Sequence, residues 1–171
     1  MGTGTAGSGN AVVTTQDEFV AALETFVAAW PGAGQSEKTL LLIHHWLDAL
    51  GCWSFEDMYL SATTLLQVIA ATEEGIQGRE LYYFDAVTAA SARAGISPMS
   101  RHFKDMRNNL IHEGKLLGGK FSGTSLQDCA TVASDVLNWF DSYIHSVLGL
   151  GAVRRKRFSY GDFLGLNAYS L

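Results

Sequence analysis

The sequence predicts an all-α protein, a helical bundle of about five to six helices. Three observations carry this expectation. Apolar residues recur at helical spacing over most of the chain, and glycine, proline and capping residues cut that pattern into segments. No stretch alternates apolar and polar residues over the length of a strand. With 171 residues there is material for one domain, and residues 15–150 show no internal linker or repeat.

Taken in order, residues 1–14 are expected to form a flexible tail, because Met1 to Asn10 is uncharged and rich in Gly, Thr, Ala and Ser. Thr15 with Glu18 makes a capping box, followed by Phe19, Leu23, Phe26, Val27 and Trp30 at helical spacing. Pro31-Gly32-Ala33-Gly34 is expected to end that helix. Ser36 is the expected cap of a second helix, through Leu40, Leu41, Ile43 and Leu47 to Gly51. Ser54 opens a third, expected to reach Glu74 before Gly75. A fourth is expected over about Arg79 to Ala94, stopped by Gly95. Ser97-Pro98 begins a fifth that Gly114 stops, and Ser125 opens a sixth through Val132, Val136, Trp139, Phe140, Ile144 and Leu148. Residues 151–171 turn basic and then aromatic and are expected as a tail.

Composition narrows the function. Hydrophobic residues make up 47% of the chain and charged residues only 17%, which excludes intrinsic disorder and suggests that a second copy or partner covers some apolar surface. No apolar run reaches the roughly 18 residues of a membrane span, and no basic segment precedes an apolar core at the N-terminus. A non-membrane, cytoplasmic protein is the expectation. Cys52 and Cys129 have no C-x-x-C spacing, so neither a disulfide scaffold nor a zinc site is expected, and both read as buried thiols. The net charge of −5 hides an asymmetry: residues 1–100 carry 11 acids and 3 bases, residues 101–171 carry 6 acids and 9 bases. Acidity overall argues against a protein that coats nucleic acid, yet the basic second half permits a confined phosphate site.

The chemistry concentrates in Ser100-Arg101-His102-Phe103-Lys104-Asp105-Met106-Arg107-Asn108-Asn109-Leu110-Ile111-His112-Glu113-Gly114. On a helix, Phe103, Met106 and Leu110 face the core, while Arg101, Asp105, Asn108 and His112 line up as a polar stripe. Arg107 lies about 140° round the helix from His112, so the two border one shallow face. Two copies of that face across a two-fold axis would form a cleft rich in His, Arg and Asn.

The run Arg107-Asn108-Asn109-Leu110-Ile111-His112 resembles the R-x-x-x-x-H signature of the HEPN superfamily, in which the residue after the arginine is typically polar. The likeness extends to helices before the motif, a glycine after it, a loop and a final long helix, over roughly residues 15–148. It implies an all-α, often homodimeric domain that cleaves RNA without a metal or other cofactor, in a prokaryotic toxin or antiviral defence system with an antitoxin or defence partner. On that resemblance Arg107, Asn108 and His112 are the catalytic residues. A histidine is suited to moving the proton of a ribose 2′-OH near neutral pH, and a guanidinium can hold the attacked phosphate with paired donors. HEPN toxins paired with nucleotidyltransferase antitoxins carry a tyrosine two residues beyond the histidine; here that position is Gly114. Some members of the superfamily are not nucleases and serve as RNA-, nucleotide- or protein-binding modules.

Candidate RNA contacts are Arg101, Lys104, Lys115, Lys120, Arg154, Arg155, Lys156 and Arg157. The last four precede Phe158, Tyr160 and Phe163, which could stack on bases, although a solvated tail is the plainer reading. The plain reading of Arg107 and His112 is a surface arginine and a helix-end histidine. His44 and His45 are adjacent, point to different faces and are expected in packing roles. Glu73 and Glu74 are expected at a solvated helix end.

Overall fold

The structure, a computed structural model, describes residues 15–36, 38–49, 51–52, 54–163 and 166–169. The expected tail over 1–14 lies outside them, as do the side chains of Ser36, His45 and Leu47. The described chain is all-α. Its elements are α1 (Gln16–Ser36), α2 (Thr39–Ala49), α3 (Phe55–Gln77), α4 (Tyr83–Ala94), α5 (His102–Glu113), α6 (Leu126–Val147) and a 3-10 turn at Tyr160–Phe163. No described helix is long and apolar enough to cross a membrane.

Several boundaries differ from the expected ones, each for a local reason. α1 runs through Pro31 to Ser36. Proline already has a helical φ, and the bond it forfeits is to the carbonyl of Val27, a residue on the exposed side of α1. α3 passes Gly75 and stops at Gly78, which takes the left-handed conformation (φ 64°) and donates its N–H to Glu74 O. The next residues finish that cap instead of opening α4: Arg79 N donates to Glu74 O, and Leu81 N to the Glu74 carboxylate at 3.1 Å. α4 therefore starts at Tyr83. α5 starts at His102 and not at Ser97, since the residue before Pro98 is pushed out of the helical region. α6 opens as expected: Ser125 caps it, and Asp128 returns the bond to the Ser125 backbone.

α3 and α6 supply most of the core, with Phe55, Tyr59, Leu66, Leu137, Phe140 and Tyr143 among the fully buried side chains. Trp139 and Glu73, two polar groups inside it, are bonded. Trp139 Nε1 donates to Ser91 Oγ at 3.0 Å. Glu73, expected in solvent, is 2% exposed. It accepts from Arg93 Nε at 2.8 Å and from Gln77 Nε2 at 2.9 Å, and Arg93 also reaches the Tyr143 hydroxyl. An ion pair this deep persists only with its partners in place.

The described part of 151–171 packs on the bundle instead of standing off as a tail. Asn138 of α6 accepts from the N–H groups of Arg157 and Phe158, both at 3.0 Å, and donates to Phe158 O. Phe163 is buried, edge-on to Phe55 with 6.2 Å between ring centroids, and Phe55 N donates to Asn167 O. Among the described residues, the exposed apolar side chains gather most densely on α1, at Phe19, Val20, Leu23 and Val27.

Candidate functional site

α5 carries the candidate motif. Phe103, Met106 and Leu110 are buried, as their spacing predicts, and they set the angle at which the rest of the helix meets solvent. Asn109 is buried as well, and its amide donates to Gly118 O. Gly119, at φ 56°, sits so close that a Cβ there would collide with the Asn109 amide. One side chain thus ties the loop from Gly114 to Phe121 to the middle of α5. Sequence reasoning passed over Asn109 for its neighbour Asn108. The signal was present, because Asn109 falls between Met106 and Leu110 on the core stripe.

Arg107 is half-buried, with Cζ 5.3 Å from the centre of the Tyr83 ring. That ring is itself fixed. Its hydroxyl donates to Thr63 O of α3 at 2.9 Å, and its edge meets Phe103 at 5.7 Å between centroids. Burial pushes the Tyr83 phenol above its usual range, against the opposing pull of the Arg107 charge. Tyr59 donates to Phe103 O and is likewise raised by burial. No described residue accepts a hydrogen bond from the Arg107 guanidinium or pairs with it as an ion. Asn108 is half-buried and His112 exposed, and their side chains too have no hydrogen-bond partner among the described residues. Gly114 (φ 67°) closes the helix just beyond His112.

The other candidates divide into two groups. Arg101 lies over Phe84, 5.9 Å from the ring centre, and its Nε is 3.8 Å from Asp105. Asp105 itself is buried, and its Oδ1 has no hydrogen-bond partner. His102 meets Phe121 edge-on. Lys104 is half-buried, while Lys115 and Lys120 are exposed on the loop that Asn109 anchors to α5. In the basic run at 154–157, three of the four residues face a carboxylate and Arg155 is exposed. Arg154 pairs with Glu18, Lys156 with Asp135 and Arg157 in two-pronged fashion with Asp141. Burial raises the Asp141 carboxyl even against Arg157. Phe158 and Phe163 stack on one another inside the docked segment, and Tyr160 is exposed.

A groove of about 360 Å³ runs between residues 96–100 and α6, lined by Pro98, Met99, Asn138, Trp139 and Lys156 among others. No residue of the Arg107–His112 motif lines it. Among the described residues no group of three His, Cys, Asp or Glu side chains could hold a metal ion. Cys129 is buried and Cys52 half-buried, 3.7 Å from Ser61 Oγ. The arrangement on α5 can bind an anion at a fixed guanidinium and move a proton at an exposed imidazole one helical turn further on. No protein-family model, curated protein or solved structure matches the chain.

Proposed function

We propose that this protein is a HEPN-type endoribonuclease acting in the cytoplasm, in a prokaryotic toxin or antiviral defence setting with an antitoxin or defence partner. The observation that carries the reading is the state of the motif's polar groups. Arg107 is held over a rigid ring with its donors unspent, beside Asn108 and His112, which are equally unpartnered. An arginine serving only the fold ordinarily finds a carboxylate or carbonyl acceptor.

In the proposed reaction Arg107 grips the non-bridging oxygens of the scissile phosphate and Asn108 supports them. His112 handles the proton, either taking it from the 2′-OH or giving it to the leaving 5′-oxygen. The 2′-oxygen–phosphorus bond forms and the phosphorus–5′-oxygen bond breaks. The products are a 2′,3′-cyclic phosphate and a 5′-hydroxyl. Imidazole chemistry of this kind continues in EDTA. Ile111, 47% exposed beside His112, supports a homodimer in which two α5 helices meet and each lends the other part of the cleft.

The test is cleavage of single-stranded RNA by parent, His112→Ala, Arg107→Ala and Arg107→Lys proteins of matched melting temperature. His112→Ala loses about 10²–10⁴-fold in rate. Arg107→Ala loses nearly as much, and Arg107→Lys recovers only part, because lysine keeps the charge without the two-pronged donor geometry. A His112→Ala protein that cuts at the parental rate overturns the nuclease. A parent that binds RNA without cutting it points to a non-catalytic HEPN-like binding module.

A further inference from the structure

The first turn of α4 carries three aromatic residues in a row, Tyr82, Tyr83 and Phe84. Two of them already have a planar cation stacked on them: Arg101 lies over Phe84 and Arg107 over Tyr83. Tyr82 has neither a ring nor a guanidinium against it among the described residues, and it is 85% exposed. Neither packing nor capping accounts for a tyrosine there. It occupies the N-cap of α4, a position that favours Ser, Thr, Asp or Asn, and it makes no side-chain cap bond. The side chain of Arg101 is 59% exposed. The Tyr82 ring is thus open to solvent, and the two rings that follow it in the chain each carry a guanidinium.

We infer that this edge of α4 and α5 is a subsite for one nucleotide of single-stranded RNA, with a base stacked on Tyr82 and the adjoining phosphates held by Arg107 and Arg101. Base–aromatic stacking is indifferent to sequence, since every base has a π-face, and arginines beside the ring supply the charge that tracks the backbone. The inference rests on the nuclease reading and extends it. Arg107 belongs to the motif and lies over the ring of Tyr83, the residue after Tyr82, so a base on Tyr82 would anchor the strand near the scissile phosphate.

The experiment measures binding by fluorescence anisotropy, using a labelled 2′-O-methyl RNA about ten nucleotides long, a length typical of single-strand sites. The 2′-O-methyl groups block cleavage. Tyr82→Ala is expected to weaken binding about tenfold or more, whereas Tyr82→Phe and Tyr82→Trp, which keep a ring, bind as the parent does. Arg101→Gln is expected to lower the slope of log affinity against log salt by about 1, and Tyr82→Ala to leave that slope unchanged. Equal binding by Tyr82→Ala and parent overturns the subsite, as does a parent that does not bind the probe. Failure of the nuclease reading shows differently: Tyr82-dependent binding persists, while unmodified RNA is left intact by the parent or cut equally by His112→Ala.

Discussion

At the scale of single residues the structure separates groups that serve the fold from groups left available. Glu73 belongs to the first kind, buried and bonded to Arg93. Arg107, Asn108 and His112 belong to the second. The two cysteines differ in burial, Cys129 being buried and Cys52 half-buried. Burial, with the Asp128 carboxylate adding to it, pushes the Cys129 thiol up to about 11, so at pH 8 roughly a thousandth of it is thiolate. In the folded protein an aromatic disulfide reagent is therefore expected to titrate Cys52 first and Cys129 only after denaturant opens the core. Equal rates for the two thiols in native buffer would contradict the burial of Cys129 on the core face of α6.

At the scale of elements, capping decides where helices begin and how they answer to pH. The Asp128 carboxylate accepts from the Thr124 and Ser125 N–H groups at 2.8 and 3.0 Å and from the Ser125 hydroxyl at 2.9 Å. The Thr124 bond is the largest cause holding it below the usual aspartate range. A carboxylate lowered on folding stabilises the native state fully above its unfolded value, near 3.9, and loses that contribution as pH falls through the folded value. The melting temperature of the parent should thus drop on acidification more steeply than that of Asp128→Asn, which cannot titrate. Scans from about pH 6 to about pH 2 decide this, and parallel curves would reject it. The loop after α5 is governed by a side chain instead: Asn109 and the close approach of Gly119 hold it against α5.

At the scale of the whole molecule, the segment after α6 closes the bundle. Asn138 and Asp141 grip residues 157 and 158, and Phe163 fills a place against Phe55. Phe163→Ala removes a buried ring, a change worth about 3 kcal/mol or more if the site does not collapse. Its expected signature is faster trypsin cleavage within Arg154–Arg157, because the segment undocks while the helices stay folded. Cleavage there at the parental rate, with no change in melting temperature, would show that Phe163 contributes little.

The sequence by itself determined the helical class and the boundaries capped by Ser54, Gly95, Gly114 and Ser125, because capping and apolar periodicity are local properties. Ser125 and Asp128 lie three residues apart, and Phe103, Met106 and Leu110 mark their face of α5 without help from any other element. It also singled out Arg107, Asn108 and His112 as a set. Only the tertiary structure decided what surrounds them. Tyr83 lies 24 positions before Arg107, Arg93 lies 20 after Glu73, and Phe163 lies 108 after Phe55, and no periodicity within one helix can pair residues so far apart. The same holds for the basic run at 154–157. Its composition suggested a grip on RNA, but its meaning depended on Glu18, Asp135 and Asp141, acids that folding alone brings against it.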